Sequence, residues 1–352
     1  MAVPGVSHTH LNEESDMDTL MSQRFDEASA RFRTMVKDVV PNFDDELPWI
    51  LVTHRYPDTD AYACLWMAVT RIVGDADYCF KMLPAGQRLT DEEAAGHRVL
   101  YMDTGGGPLD QHDKDVGKAS SFQLMCEHYG FDKEEALWPV IKLTVATDNV
   151  EAIDPTSIHY VLSGLAYYHR EDTEIDWVVC LSRAFEMFDI LHAHEKQRLQ
   201  GIADFRKFGS RYVLPNRLSV AHVWGRPQLR EAAFDLGADV VMWTLNKGKN
   251  RNHIGIQLNR HSPEKVEKGM KALMAGLRIA EAKKRGVNTV GHDLREHGQT
   301  PELFGGWFLH RSCRLILCGS KSAPLTAEDY TKLTPEEIND ILNERLSNDK
   351  LW

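Results

Sequence analysis

The segment LVTHRYPDTDAYAC, residues 51–64, contains one histidine and two aspartates within seven residues: His54, Asp58 and Asp60. It includes most of a short apolar run, PWILVTH, of the kind that forms a strand buried on both faces. Carboxylate oxygens bind Mg²⁺ and Mn²⁺, and an imidazole favours Mn²⁺ or a later transition metal. Isolated aspartates at such a position more often cap a helix or close a turn. Further acidic residues at neighbouring strand ends would favour a cation site.

Other acidic residues follow other apolar segments of the chain. Asp103 ends the segment HRVLYMD and precedes TGGG, a glycine run that lets the backbone approach a ligand closely. Asp110 lies in the same loop, and Asp148 ends the apolar stretch of VATDN. Ligands of open α/β sheets bind beyond the carboxyl ends of the strands. We therefore predict a site there for one cation, or for two cations bridged by a carboxylate.

The surrounding pattern predicts the elements that would position these side chains. Apolar residues recur at helical spacing from Asp60 to Ile72, which predicts a helix directly after the first strand. Further helices are expected at KASSFQLMCEHYG and at KEEALWPVIKLTVA, the latter interrupted by Pro139. This βαβα order predicts a wound, mainly parallel sheet, so the fold class is α/β.

The rest of the chain predicts a second domain. Residues 177–208 have a long helical pattern, which is followed by the turn-rich stretch FGSRYVLPNR. Strands are expected at RLSVAHVWG, DVVMWTLNKG, HIGIQLN, GWFLHRS and RLILCGS. A helix is expected from Pro263 to about Lys284, and a last one follows Thr334 as its N-cap. We predict a disordered tail (1–18), an α/β domain that contains the candidate cation ligands (19–175), a connecting helix (176–210) and a smaller α+β domain (211–352).

Composition limits the class of protein. The 352 residues include 41 basic and 52 acidic side chains, and the net charge of −11 disfavours a surface that binds nucleic acid along its whole extent. No apolar run approaches the roughly 20 residues that span a bilayer. The N-terminal segment resembles neither a secretory signal nor a transit peptide. The six cysteines lack CxxC spacing, so we expect free thiols in a reducing, cytoplasmic location. Because no apolar run is long enough to span a bilayer, we expect no membrane contact.

Four segments, THRYPDTDA, YMDTGGG, LDQHD and ATDN, occur in the order and approximate spacing of the DHH phosphoesterase superfamily. That superfamily includes RecJ-type exonucleases, nanoRNases, exopolyphosphatases and manganese pyrophosphatases. The DTGGG segment followed by ASSFQLMCEHYG more closely resembles the metal-dependent hydrolases of the melanocyte-proliferating-gene type, which include RNA exonucleases. The resemblance covers residues 49–150 and is loose over 300–323. It implies an α/β catalytic domain, a connecting helix and a smaller domain that closes over the cleft.

The resemblance also implies a role for each matching residue. His112 would assist the leaving group or hold the phosphoryl oxygens as a catalytic residue, and Asp110 would orient neighbouring groups. His54 and Asp58 would bind one ion of Mn²⁺ or Mg²⁺, and Asp60 would bind the other. Asp103 would bridge the two ions, and Asp148 would complete the set of ligands.

Gln111 departs from the superfamily pattern, because those proteins have a histidine at its position that binds the second ion. An amide offers only a neutral carbonyl oxygen, which is a weaker ligand for Mn²⁺ than an imidazole. Three interpretations follow. The second site is weak and fills only with substrate, or Asp113 or His112 substitutes for the missing ligand, or the chain has lost hydrolytic activity and kept a binding role.

Basic side chains of the C-terminal domain are candidates for binding substrate phosphate, although FGGWFLHRSCRLILCGSKS lacks the Gly-Gly-Gly-His string of the superfamily. Two arginines within its apolar strands need an anionic partner, either a carboxylate or a substrate phosphate. The basic segment 246–253 is either a solvated hairpin tip or a guide for a polyanion. In HAHE, a solvated helix face is favoured over a metal shared by His192 and Glu195. The predicted substrate-binding residues are Gln111, His310, Arg311, Arg314 and Lys321.

The predicted function is metal-dependent hydrolysis of phosphodiester bonds, and an exonuclease on short RNA or DNA is the first hypothesis. One alternative is a phosphatase or pyrophosphatase that acts on a small nucleotide or another phosphate ester. The other is a degenerate member that binds nucleotides or a protein partner without hydrolysis. Mn²⁺ or Mg²⁺ is the expected cofactor, at one or two ions per chain, and a homodimer is left open as the oligomeric state.

Overall fold

A computed structural model describes residues 47–113, 117–171, 174–245, 253–320 and 325–352. The predicted tail, an amphipathic helical pattern at DTLMSQRFDEASARFRTMVKDV, Lys321 and most of the basic segment 246–253 lie outside these residues. The chain divides into two compact units, Met1–Glu195 and Lys196–Trp352. Each unit is mixed α/β, as predicted, whereas the specific DHH-type arrangement stays a prediction.

The first unit has a three-stranded parallel sheet made of β1 (Trp49–His54), β2 (Tyr78–Leu83) and β3 (Arg98–Tyr101). β1 lies between the other two strands, and five of its six residues are buried, as expected for a central strand of apolar residues. Because all three strands run parallel, their carboxyl ends meet at one edge of the sheet. His54 ends β1 at that edge. The sequence pattern did not predict β2, which is largely exposed.

Helices lie between the strands of this sheet and after them in the chain. α1 (Thr59–Met67) is buried along its whole length and continues as a π-helical turn over Ala68–Ile72. Trp66 of α1 packs in the core against Phe122 and Phe188. The remaining elements of this unit are α2 (Asp91–Ala94), α3 (Ser121–His128), α4 (Trp138–Asp148), α5 (Ile158–Tyr168), the strand pair β4 (Arg170–Glu171) and β5 (Glu174–Ile175), and the first part of α6 (Trp177–Phe208).

Two local expectations differ from the structure. Pro139 does not interrupt a helix, because it lies in the first turn of α4, where its missing N–H costs no hydrogen bond. Asp148 lies at the end of α4, the helix predicted at KEEALWPVIKLTVA, and not at the end of a strand. The division between the two compact units falls inside α6, and the turn-rich segment after α6 contributes a strand. The predicted domain bounds stay a prediction.

The second unit has a seven-stranded mixed sheet in which β7 (Ser219–Val223) and β8 (Val240–Leu245) pair in parallel and the other neighbours pair antiparallel. Helix α8 (Lys265–Arg285) and helix α10 (Pro335–Ser347) pack on its core. Thr334 caps α10 in a capping box with Glu337, as predicted. The strands are β6 (Ser210–Val213), β7 (Ser219–Val223), β8 (Val240–Leu245), β9 (His253–Leu258), β10 (Gly298–Gln299), β11 (Trp307–Leu309) and β12 (Leu315–Cys318), and the short helices are α7 (Arg230–Asp235) and α9 (Pro301–Phe304).

Within the described ranges, no helix combines the length and the apolar character needed to cross a membrane. All six cysteines have free thiols, as expected.

A cluster of charged side chains anchors α6 to the first unit. His192 Nε2 lies 2.7 Å from Oε1 of Glu134, and Arg71 donates to both oxygens of Glu134 at 3.3 and 3.4 Å. Burial alone raises the pKa of Glu134, but His192 and Arg71 outweigh it and lower the pKa to about 2. His192 and Glu195 are only 8 and 7 % exposed, so the prediction that they form a solvated helix face is wrong.

We expect Glu134→Gln to lower the free energy of unfolding by about 1–3 kcal/mol, because Arg71 and His192 lose the anion they share. The pKa of Glu134 lies below the ordinary value of about 4.3, so its stabilisation is present above that pH and is lost as the pH falls toward 2. Denaturant unfolding at pH 7 and pH 3 measures both effects. The control is Glu135→Gln, an exposed neighbour, which should change stability by less than about 0.5 kcal/mol. Equal losses in the two variants would contradict the assignment.

Candidate metal centre

The loop after β1 positions Asp58 as the N-cap of α1. Asp58 Oδ1 accepts hydrogen bonds from the backbone N–H groups of Asp60 (2.9 Å) and Ala61 (3.0 Å). Its backbone is extended, with φ −93° and ψ −166°, as expected for a capping residue. The cap uses one carboxylate oxygen, and a carboxylate has a second oxygen for another partner. Capping and metal binding are therefore compatible roles for Asp58.

Three side chains converge beyond the carboxyl ends of β1 and β3. One ligand atom each from His54, Asp58 and Asp103 lies within 4.8 Å of the other two. Nδ1 of His54 lies 2.9 Å from the carbonyl oxygen of Arg55, which can only accept a hydrogen bond, so Nδ1 carries a proton. Nε2 then faces Asp103 Oδ2 at 3.0 Å. Metal-binding histidines use this arrangement, in which a backbone carbonyl orients the ring.

Asp103 is the residue that the other polar groups approach. It is 4 % exposed and has φ 54°, in the left-handed region that costs a residue with a side chain about 1 kcal/mol. Oδ1 of Asp103 accepts a hydrogen bond from Nε2 of Gln111 at 3.1 Å and lies 3.5 Å from Nε2 of His112. The structure holds this carboxylate in a strained position between the imidazole of His54 and the amide of Gln111.

The glycine run after Asp103 shapes the loop that carries Gln111. The three consecutive glycines of TGGG have φ 78°, 65° and 123°. The guanidinium of Arg88 donates to the carbonyl oxygens of Gly105 and Gly106. Asp110 braces the same loop, because its oxygens accept the N–H groups of Gly106 (2.8 Å) and His112 (3.0 Å). Asp110 therefore holds the loop and does not line the pocket described below.

Asp60 is fully buried and caps α3 from a distant part of the chain. Its Oδ2 accepts the N–H of Ser121 at 2.8 Å, and its Oδ1 accepts the N–H of Phe122 at 3.0 Å. Burial, followed by the charges of Asp148 and Asp103, raises the pKa of Asp60 well above its ordinary value. Asp60 lies beside the predicted ligands, but the three-residue cluster described above does not include it.

Asp148 reaches the same place from the C-terminus of α4. Its Oδ2 accepts a hydrogen bond from Nε2 of Gln111 at 3.0 Å. The end of a helix carries a partial negative charge, which is unfavourable for a carboxylate. Burial, followed by the charges of Asp103 and Asp58, raises the pKa of Asp148 to about 7. The pKa of Asp58 is raised as well, first by burial and then by Asp103.

These groups line a pocket of about 530 Å³ whose described lining contains no lysine and no arginine. Several carboxylates that repel one another therefore face a space whose described lining has no permanently charged cationic side chain. Hard oxygen donors and one imidazole suit Mn²⁺, and Mg²⁺ is the next candidate. The residues fit such an ion. The polar side chains of the lining that could contact it or its ligands are His54, Asp58, Asp103, Gln111, His112 and Asp148.

The predicted substrate-binding residues of the second unit have other surroundings. His310 and Arg311 lie exposed in the turn between β11 and β12, and not within an apolar strand. Nδ1 of His310 lies 2.9 Å from Oγ of Ser312. Arg314 donates to Oε1 of Glu267 at 2.8 Å and to the carbonyl oxygen of Asn259 at 2.9 Å. The sequence left a carboxylate or a substrate phosphate as the anionic partner of Arg314, and the structure shows the carboxylate of Glu267.

Two parts of the site were not predicted from the sequence. Ser121 supports Asp60 through its backbone and contacts Oε1 of Gln111 through its hydroxyl. The Ser-Ser pair before an apolar helical segment was a capping signal, but it did not indicate which carboxylate the helix would meet. Arg55 and Tyr56, directly after His54, are exposed and line a neighbouring pocket.

The sequence matches no protein-family model and no curated protein. The resemblance to DHH phosphoesterases rests on the four motifs, and membership of that superfamily stays a prediction.

The pKa of His54 predicts how the metal-free protein responds to pH. Burial alone lowers this pKa, but the hydrogen bonds to Asp103 and to the Arg55 carbonyl outweigh it and raise the pKa to about 9. A raised pKa stabilises the fold fully below the ordinary value of about 6.5, and this stabilisation is lost as the pH rises through the folded value. We therefore expect the Tm in excess chelator to fall between pH 6.5 and 9.

Saturating Mn²⁺ should remove that fall, because the ion replaces the proton on the imidazole. Thermal unfolding with chelator and with Mn²⁺ at several pH values measures both effects. His54→Gln should flatten the pH dependence, whereas His310→Gln, in an exposed turn, should leave it unchanged. An equal Tm with and without Mn²⁺ at pH 9 would rule out the site.

Proposed function

We propose that this chain is a metal-dependent hydrolase of phosphate esters that acts on nucleotide or nucleic-acid substrates. The observation that carries the proposal is the convergence of His54, Asp58 and Asp103 at the carboxyl edge of a parallel sheet. These three residues face a pocket that is also lined by Asp148. Apart from histidines, the described lining of this pocket contains no basic side chain. A substrate phosphate would be repelled from such a pocket unless a divalent cation is bound there.

The ion would supply Lewis-acid chemistry, because it lowers the pKa of a water molecule and neutralises charge on the phosphoryl oxygens. His54, Asp58 and Asp103 would hold it. In hydrolysis one P–O bond forms to water and one P–O bond to the leaving oxygen breaks. The water loses a proton and the leaving oxygen gains one. His112 is 71 % exposed and has Nε2 3.5 Å from Asp103, so it can exchange protons with both the substrate and solvent.

A second pocket favours a substrate that carries an aromatic ring. It measures about 600 Å³ and begins at Arg55 and Tyr56, directly after the metal-binding His54. The ring of Tyr56 meets that of Trp177 edge to face, with centroids 6.1 Å apart, and Tyr56 is 67 % exposed. An exposed aromatic ring such as that of Tyr56 suits the stacking of a nucleobase. This supports a nucleotide or oligonucleotide over pyrophosphate, which has no ring.

Two other functions remain alternatives. A phosphatase for a small nucleotide would use the same metal centre and the same aromatic pocket. A nucleotide-binding protein without hydrolysis is supported by Gln111, because its amide and not a histidine contacts Asp103 and Asp148. Activity assays separate these functions from an exonuclease.

We expect the purified protein to hydrolyse bis(p-nitrophenyl) phosphate or the p-nitrophenyl ester of thymidine 5′-monophosphate in Mn²⁺, and to stop in chelator. Asp103→Asn keeps the shape of the side chain but removes its charge, so kcat/KM should fall by about 100-fold or more. Asp91→Asn, at the exposed start of α2, is the matched control and should retain activity. Hydrolysis by the parent protein in excess chelator would contradict the proposal, and so would undiminished hydrolysis by Asp103→Asn in Mn²⁺.

The length of the substrate separates the enzyme alternatives. Initial rates on 5′-labelled oligonucleotides of increasing length, compared with mononucleotides, distinguish an exonuclease from a nucleotide phosphatase. Turnover of mononucleotides alone would exclude the exonuclease. Tight nucleotide binding with no turnover of any ester would support the binding protein.

Removal of the exposed ring should weaken binding of substrates that carry a base. We expect Tyr56→Ala to raise KM for the thymidine ester by about 5- to 100-fold, the range for the loss of one stacked base. The KM for a phosphate ester with only alkyl groups should stay the same. Tyr167→Ala removes a ring that is 86 % exposed on α5 and serves as the control. An equal change in KM for both classes of ester would argue against a base-stacking pocket.

A further inference from the structure

We infer that the side-chain amide of Gln111 takes the place of a second metal ion, so that the centre binds one divalent cation per chain. The inference rests on the metal centre of the proposed function, but it does not depend on whether that centre hydrolyses its ligand. It concerns the number of ions that the site accepts.

The NH₂ group of Gln111 lies between two carboxylates. Nε2 is 3.1 Å from Oδ1 of Asp103 and 3.0 Å from Oδ2 of Asp148. An amide nitrogen has two hydrogens and no available lone pair, so it donates to both acids and cannot bind a metal. A cation shared by these acids would need the same space between them. The two amide hydrogens supply part of the positive charge that such a cation would bring to Asp103 and Asp148.

The orientation of the amide is set by its surroundings. Its other atom, Oε1, contacts the hydroxyl of Ser121, a fully buried residue at the start of α3. The Ser121 hydroxyl also lies 2.7 Å from the carbonyl oxygen of Leu109, so its single hydrogen serves one of two acceptors. A flipped amide would instead direct its oxygen at the two acids, which is unfavourable when both acids are ionised and no cation is present.

Asp60 is unsuited to the second site for a separate reason. Each of its oxygens already accepts a backbone N–H of α3, at 2.8 and 3.0 Å. Its carboxylate is held by α3, and a rotation toward an ion would leave two buried N–H groups without partners. Among the described residues, one cluster has metal-ligand geometry, and it consists of His54, Asp58 and Asp103. The second ion therefore lacks the imidazole, and Asp60 does not supply a ligand in its place.

An imidazole at position 111 would reverse the chemistry of this position. A neutral imidazole offers a lone pair to an ion, whereas the amide nitrogen offers only hydrogens to Asp103 and Asp148. With a lone pair directed between the two acids, a second cation would have three ligands. Gln111→His should therefore create a second site without any other change in the chain.

Metal counting on the purified full-length chain tests the inference directly. Equilibrium dialysis against Mn²⁺ followed by elemental analysis should give one ion per chain at saturation. Gln111→His should give two, and its Mn²⁺ electron paramagnetic resonance spectrum should show the coupling of two neighbouring ions. Gln299→His adds a histidine at an exposed position on β10 and should keep one ion.

The parent protein alone can overturn the inference, so a poorly folded variant does not leave it untested. Two ions in the parent would refute the role of Gln111 while leaving the proposed hydrolase intact. No bound ion in the parent would refute both. One ion in the parent and one in a folded Gln111→His, checked by its thermal unfolding, would show that some other feature than the amide limits the site.

Discussion

Repulsion between carboxylates that crowd one edge of the parallel sheet is the constraint around which the first unit is built. The chain holds most of these acids by directing backbone N–H groups at them. Asp58 caps α1, Asp60 caps α3, and Asp110 accepts two N–H groups of its own loop. Each cap is favourable in the absence of any ion, because the N-terminus of a helix has partial positive charge. Asp103 and Asp148 have no helix N-terminus, and they depend on the side chains of His54 and Gln111.

The same region concentrates strained backbone. Of the five described non-glycine residues with positive φ, Tyr56, Asp103 and Val150 lie in the loops around the pocket. Such positions persist only where the surrounding structure determines them, and they cluster at functional sites. Here that structure is the central strand β1 and the fully buried helix α1, which fix both ends of the first loop. The strain therefore supports a functional interpretation of the pocket independently of its charge.

The sequence predicted the elements that have strong local signals. β1 and α1 follow from apolar periodicity, and α10 follows from its capping box. β2 was missed because it is mostly exposed and so has no continuous apolar pattern. The helix before Asp148 was predicted at KEEALWPVIKLTVA, but no local pattern indicated that Asp148 at its end would contact Gln111. The bonds from Asp60 to Ser121 and from Arg314 to Glu267 join residues far apart in the chain, so no local pattern could predict them.

One pair of residues links the candidate metal centre to the hydrophobic core. Ser121 and Phe122 begin α3, and their N–H groups hold Asp60. The ring of Phe122 is buried beside Trp66 of α1, while the hydroxyl of Ser121 contacts Gln111 at the pocket. Any movement of α3 against α1 would therefore displace the amide relative to Asp103 and Asp148. Packing of the core thus determines the position of the one uncharged side chain that separates those two acids.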